Sequence, residues 1–486
     1  MNIQPDSGPG YKPPWMEQAP VSPSPVPPPP VNGSPANAGE VPNEPSPNIA
    51  PARSIFGKII PFAAIAILVL VIFFVARLIL TKKGNLFQPG SSPVANQNNK
   101  EVTLTYWGLW ESDQVMAPIL AEYKKDHPKV TINYVFQSSK DYRERLQSAL
   151  AAGKGPDIFR IHNTWLAMFK TELAPVPDNL VDWSDYYPAV SSLKLMDKYY
   201  AVPLEIDTLA LYCNNDLLKA AGKEPPTSWK ELRETALVLR TAANNKIQIG
   251  GIALGLTANV DNWSDILALM LMQNGVDLTR PSGKLAEDTL SFYTRFSAVD
   301  GVWDATLPSS VYAFATGKVA MIFAPSWRAF EIKEVNPNLN FRTVPVPQLS
   351  GTQITWASFW AEAVSAKASD SQAAWDFIKF LSQKETLKKL YSLETKVRLF
   401  GEPYPLKSLA SQLETDPIVG AFVKQAPYAK SWYLSSETHD NGINDRMIKY
   451  FEDMVNAGGT AESLTQLSNG VSQILNQYQL LSQPVQ

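Results

Sequence analysis

The sequence predicts an α/β protein built as two successive α/β regions, preceded by a proline-rich segment and one apolar span. Three observations carry this. From Glu101 onward, stretches that alternate apolar and polar residues with period two are followed by stretches with helical spacing. A second such series begins near Leu209–Asn214. Before residue 101 the composition is of another kind, and no repeat of about 20–50 residues runs through the chain, which disfavours a solenoid.

Residues 1–54 come first. Sixteen of the 39 prolines lie between Pro5 and Pro51, among Gly, Ser, Asn and Ala and with few large apolar side chains. Such a segment cannot bury enough surface to offset the entropy of ordering, so it reads as a disordered tail.

Residues 55–80 follow. Ile59 to Ala76 is 18 residues without a charge, and extension to Ile55–Leu80 adds only Lys58 and Arg77 near the ends, where long side chains reach the headgroups. At 1.5 Å per residue the stretch is about 39 Å long, enough for a ~30 Å hydrocarbon core with some tilt. Signal-peptide cores run about 7–15 residues, so length favours a retained single transmembrane anchor. The flanking charges, Arg53 and Lys58 against Arg77, Lys82 and Lys83, lean weakly towards a cytoplasmic C-terminal domain. Residues 81–100 read as a flexible linker that reaches about 25 Å as a coil.

In the folded region, Val102, Leu104 and Tyr106 alternate with polar neighbours as a strand. Val115, Ile119, Leu120 and Tyr123 mark a helix, Ile132–Phe136 a second strand, Leu146–Leu150 a second helix and Asp157–Ile161 a third strand. This order implies crossover units on a mostly parallel sheet, with ligands at the loops past the strand ends: Gly108–Ser112, Gln137–Lys140 and His162–Trp165.

Several function classes are excluded. A net charge of −3 with no basic run argues against nucleic acid. The single Cys213 removes intrachain disulfide frameworks and cysteine zinc sites, and the three histidines, His127, His162 and His439, form no metal-ligand spacing. No glycine-rich phosphate loop occurs. No cofactor and no metal is expected.

The informative residue is tryptophan. Of thirteen, Trp110, Trp165, Trp327, Trp356, Trp360 and Trp432 fall in expected loops. Aromatic faces stack on the C–H faces of sugar rings, and an aromatic cleft with a few polar groups suits a small molecule. Tryptophan also packs in cores, so the group carries more weight than any member. Glu205 and Asp207, two apart in the strand-like Tyr200–Tyr212, share a face. They suit an acid/base pair, acceptors for hydroxyls or solvated surface charges, and the separation that glycoside hydrolysis needs is not legible in sequence.

At this point a set of motifs resembles the family 1 extracellular solute-binding proteins, the sugar-binding proteins of bacterial ABC importers, maltose binders among them. Tyr106–Trp107–Gly108 followed by a helix to Tyr123 and His127–Pro128 resembles the family's start, and Gly153–Ile158 its GxxPD segment. Tyr200–Pro203 with Leu211–Leu218 resembles its segment crossing between lobes, and Pro225–Leu232 its P-x-T-W-x-E-L helix start. Phe314–Met321 resembles its F-x-x-G-K-x-A-M hairpin, and Ala373–Leu381 its A-A-W-x-F-I-x-F-L helix. The six stand in family order over nearly all of 101–480.

The resemblance implies a two-lobed periplasmic-binding-protein fold of type II kind, with lobe 1 near 101–208 and 340–385, lobe 2 near 209–339 and 386–486, and a hinge that closes on ligand. It places Trp110, Glu111, His162, Asn163, Asp207, Trp327, Trp360, Asn441 and Asn444 at the ligand. The late helix lacks the ligand-contacting aromatic of maltose binders, and Trp356–Trp360 replaces a Gly-Gly turn, which implies a different or smaller ligand. The resulting expectation is a binding protein and not an enzyme. It is a monomer on one membrane helix that holds its domain outside the cytoplasm and hands a sugar to an ABC importer permease. The other readings are a ligand sensor for a signalling partner and a carbohydrate hydrolase using Glu205 and Asp207.

Overall fold

A computed structural model describes residues 101–480 of the chain. The expected tail (1–54), anchor (55–80) and linker (81–100) lie outside the described residues. Among the described residues no helix is long and apolar enough to cross a membrane.

Eight strands form two sheets: β1 (Val102–Gly108), β2 (Val130–Phe136), β3 (Ile158–His162), β4 (Ala201–Val202), β5 (Ala210–Asn214), β6 (Met321–Ala324), β7 (Phe341–Val344) and β8 (Trp360–Val364). The first sheet has the order β2-β1-β3-β8-β4 and the second β6-β5-β7. β1 is parallel to β2 and β3, as the strand–helix alternation predicts. The returning strand β8 is antiparallel to β3 and β4. The helix Asp113–Asp126 turns Val115, Ile119 and Tyr123 inward as their spacing predicts, with Met116 buried beside them and Leu120, also expected on that face, only half-buried.

Local chemistry explains several motifs. At the helix Trp229–Leu239, Ser228 accepts from the Glu231 amide, while the Glu231 carboxylate accepts from the amides of Thr227 and Ser228, a capping box. In the GxxPD segment, Asp157 accepts from the Thr105 amide at 2.8 Å and from the Ser369 amide at 2.6 Å, fastening β1 to the chain beyond β8. A Cβ on Gly108 would stand 2.2 Å from the hydroxyl of Tyr134, which donates to the carbonyl of Glu111 at 2.5 Å. The glycine therefore lets the Tyr134 ring pass under the loop and hold it. Gly108→Ala is expected to cost about 1–3 kcal/mol through overpacking, read as a lower melting temperature.

Two passages connect the sheets. Residues 203–209 run from β4 to β5, and 345–359 run from β7 to β8. They lie side by side, with Thr208 bridging Ala357 and the Leu209 amide donating to the Trp356 carbonyl at 2.9 Å. Two expected boundaries move. β7 pairs with β5, so 341–344 belongs to the second sheet and the return to the first lobe comes later than 340. Helix Lys384–Glu394 lies against helix Asp113–Asp126 through Lys389 and Glu122, so the chain does not leave the first lobe at 386. Neither shift was visible in sequence because both helices and strands of the two lobes share one pattern.

Candidate binding site

Burial sorts the six singled-out tryptophans. Trp165, Trp356 and Trp432 are buried and belong to the core, against the expectation of a loop ligand wall. Trp110, Trp327 and Trp360 are half-buried.

Trp110 follows β1 and Trp360 opens β8. The two rings meet edge to face at 5.8 Å between centroids. Trp165 and His162 brace Trp360 at 4.9 and 5.2 Å. The Trp360 amide donates to Glu205 at 3.2 Å. A rigid aromatic shelf results, carried by the ends of the first sheet's strands.

His162 sits beneath it. Its Nδ1 is 2.7 Å from Thr164 Oγ1 and its Nε2 2.9 Å from Ser358 Oγ. Burial pushes the imidazole down to about 3, so it is neutral at ordinary pH. His162 is thus a strut between β3 and the second passage rather than an open ligand group. Asn163 is similarly engaged, donating to Ser192 and Ser431 and accepting from the Phe359 amide.

Asp207 occupies the middle of the first passage. Its carboxylate accepts from the Ser326 amide and hydroxyl, both at 2.9 Å, and from the Thr208 amide at 2.8 Å. Its carbonyl accepts from the Ser358 amide at 3.2 Å. One residue therefore touches the segment just before Trp360 and the segment just before Trp327. Trp327 carries the Arg328 guanidinium 4.2 Å from its ring centroid. Arg328 also pairs with Glu331 at 2.8 Å and Glu437 at 2.9 Å.

Burial raises the Asp207 carboxyl to about 8 from its ordinary 3.8, against the pull of the Ser326 bonds. The folded chain then binds a proton that the unfolded chain releases near pH 4. Stability from this group is full below pH 4 and falls as pH rises towards 8. Asp207→Asn keeps an acceptor for Ser326 and removes the proton, so its melting temperature is expected to vary less between pH 5 and 8 than that of the unaltered chain.

The segment 431–444 joins both lobes. Ser431 bonds Asn163 on the first-sheet side. Ser436 meets Asn262 at 2.8 Å and also Asp265, and Glu437 meets Arg328 on the other side. Asn444 is buried and donates to Thr164 at 2.6 Å and Asp440 at 2.9 Å. Asn441 is exposed, at φ 42°, and donates to Glu144 at 2.5 Å. A recess of about 310 Å³ lies beside this segment, bordered by Asn163, Ser192, Lys430, Trp432 and Tyr433.

Of the nine expected site residues, four thus remain open to a ligand: Trp110, Trp327, Trp360 and Asn441. Glu111, His162, Asn163, Asp207 and Asn444 are buried and hydrogen-bonded or ion-paired within the protein. Glu205 and Asp207 are likewise committed to separate partners, Glu402 and Ser326.

Sequence reasoning missed a buried charge network beneath the shelf. Arg160 pairs with Glu362 at 2.7 Å and Glu111 at 3.0 Å. Arg398 pairs with Glu402 at 2.8 Å and Glu394 at 3.0 Å. Burial raises Glu205 well above the usual carboxyl range, reinforced by adjacent Glu402. Among the described residues one set of three metal-ligating side chains converges, and it lies here: Glu111, Glu394 and Glu402. The available signal was a charge inside each of two apolar strands, Arg160 in Ile158–His162 and Glu362 in Trp360–Val364, which face each other in register.

Comparison with known proteins places this architecture. The family model for bacterial extracellular solute-binding protein matches residues 119–397, more than half of the chain. An ABC transporter extracellular-binding protein of Pyrococcus horikoshii is 21% identical over 414 residues, 79% of this chain and 89% of that one. The maltotriose-binding protein of Pyrococcus abyssi is 25% identical over 296 residues, 57% of this chain and 61% of that one. Among solved structures, the sugar-binding protein MalE of Xanthomonas citri superposes with a TM-score of 0.64 at 21% identity, over 78% of this chain and 98% of that one. A Listeria monocytogenes ABC substrate-binding protein in complex with cycloalternan gives 0.62 at 19%, over 78% and 100%. At these identities the superpositions speak to fold, which is the two-lobed α/β fold of periplasmic binding proteins. With the family match running over 119–397, from within the first helix through β2 to β8 and both passages, the chain belongs to the bacterial extracellular solute-binding proteins.

Proposed function

We propose that this protein captures a carbohydrate, without altering it, against the shelf of Trp110 and Trp360 on one lobe and Trp327 on the other, and delivers it to an ABC importer. The observation that carries this is the position of Asp207. It binds Ser358 and Ser326, so the passage it sits on separates two half-buried aromatic platforms from different lobes. A flat apolar face on each side with hydroxyl and amide groups between them suits a sugar ring. Relatives and structural neighbours support the ligand class: one is named as a maltotriose-binding protein, and others were solved with cycloalternan, mannobiose or mannotriose. The reading extends to a single-pass anchor at 55–80 that holds the domain outside the membrane within reach of the permease.

A thermal-shift screen against mono- and oligosaccharides tests it. A ligand at about a hundred times its dissociation constant adds about 2.7 kcal/mol to stability. Recovery of the sugar unchanged supports binding alone, and recovery of a cleaved product supports a hydrolase. Protease treatment of intact cells tests the topology, since a domain protected in the cytoplasm would overturn delivery to an importer. The recess beside Asn163 offers a second location for the ligand, because Trp432, Tyr433 and Lys430 also border it. Lys430→Ala would weaken binding there and leave it unchanged at the shelf.

A further inference from the structure

We propose that the recess beside Asn163 is a site of its own for an anionic carbohydrate, a sugar body that carries a carboxylate or a phosphate ester. The sugar body rests on the reading above, and the charge rests on the walls of the recess.

The recess is lined separately from the shelf. Its volume of about 310 Å³ falls at the small end of small-molecule sites, and none of Trp110, Trp327 and Trp360 borders it. Its walls come from within 163–166, 188–195 and 427–433, with Leu475 and Leu480 beside them.

Charge is the first observation. Lys194 and Lys430 border the recess and no aspartate or glutamate does, in a chain whose net charge is −3. Among the described residues neither ammonium pairs with a carboxylate. Lys194 lies 4.8 Å from the centroid of the Tyr199 ring, a contact that holds the side chain and leaves its charge uncompensated. Two cations on a concave wall without counter-charge concentrate a positive field there.

The uncharged groups point the same way. Acceptors on the wall are already engaged within the protein. Asn163 Oδ1 accepts from the Phe359 amide at 3.2 Å, Ser192 and Ser431 accept from Asn163 at 3.1 and 2.7 Å, and Thr164 accepts from Asn444 at 2.6 Å. The donors are not engaged. Trp432 is buried and Tyr433 half-buried, and neither the indole N–H nor the phenol O–H donates to any of the described residues. Burial raises the Tyr433 phenol, so it stays a donor over the ordinary pH range. Such groups ordinarily find a partner when buried, and an acceptor-rich anion supplies one. Leu166, Leu475 and the Trp432 ring leave an apolar wall for the sugar body.

Position ties the site to the lobes. Lys430 stands opposite Trp356 where two short strands pair, and its carbonyl accepts from the Ala357 amide at 2.8 Å. Its backbone is thus fixed to the second passage, while Asn163 and Ser192 hold the wall on the first-sheet side.

Isothermal titration of the full chain and of its Trp360→Ala variant tests this, with glucuronate, glucose 6-phosphate, glucose and inorganic phosphate as probes. In Trp360→Ala, where the shelf is disabled, at least one charged hexose should bind about ten times more tightly than glucose, and added sodium chloride should weaken it. Binding of glucuronate alone assigns the carboxylate, and of glucose 6-phosphate alone the phosphate ester. Lys430→Gln and Lys194→Gln should each weaken that binding about tenfold with the circular dichroism spectrum unchanged, and Lys430→Arg should keep most of it. Equal affinity for glucose, or inorganic phosphate bound as tightly as the charged hexoses, would overturn the site. Full affinity in Lys430→Gln with loss in Trp360→Ala would overturn it too, by placing the anion on the shelf. Failure of every neutral sugar to bind, with the charged hexose still held, would instead tell against the shelf and leave the recess as proposed.

Discussion

Arg160→Leu is expected to remove about 3–5 kcal/mol of folding stability, more than any other single change at the site. Arg160 is 2% exposed and is bonded to Glu362, which is fully buried, and to Glu111. The guanidinium serves both carboxylates beside a cavity of only about 20 Å³, too small for bulk water to take its place. Removing the cation takes the ion-paired donor from both acids, leaving Tyr106 as side-chain donor to Glu362 and Arg398 as the charge facing Glu111, and the cost is that of the weakly compensated charges and not the net worth of the pairs. Urea unfolding of the two chains checks this through the shift in midpoint. The double variant Arg160→Leu with Glu362→Leu should recover part of the loss, since only Glu111 then stays unpaired. Recovery to full stability would show that Glu111 needs no partner. No loss in the single variant would show that these acids are held neutral without Arg160.

That network also marks where sequence reading ends. Arg160 and Glu362 are 202 residues apart, and only the sheet order β3-β8 brings them together. A single charge inside an apolar strand announces a buried partner without saying which. Local patterns were far more legible. The first sheet's strands, the helix face at Val115–Tyr123 and the helix start at Pro225–Leu232 each depend on neighbours within a few residues, where periodicity and local chemistry act directly. The lobe boundaries depended on long-range pairing, and so β7 and the helix from Lys384 were placed on the wrong side. Asp207 shows the same limit at one residue. Its position on the passage between lobes was legible, but its use by Ser326, 119 residues away, was not. Tryptophan divided three and three, because the loops that carry Trp165, Trp356 and Trp432 are themselves folded into the core.

Trp360→Ala is expected to weaken binding of the best sugar from the screen about thirtyfold, equivalent to about 2 kcal/mol. The ring is half-buried, and its three aromatic neighbours, Trp110, Trp165 and His162, meet it edge-on at 78° in every case. The perpendicular contacts fix the orientation of the ring, and its half-buried state leaves part of it to a stacked sugar. The shelf is held beforehand, so no ordering cost falls due on binding and truncation removes contact area directly. Isothermal titration reads the affinity, and a melting curve without sugar reads the loss of packing separately. Trp360→Phe should keep most of the affinity, because it keeps an aromatic face at the same point. Trp327→Ala tests the opposite platform, and its loss should combine with that of Trp360→Ala without simple addition, since one ring would be held between both. Unaltered affinity in Trp360→Ala, alongside a loss in Lys430→Ala, would move the ligand from the shelf to the recess beside Asn163.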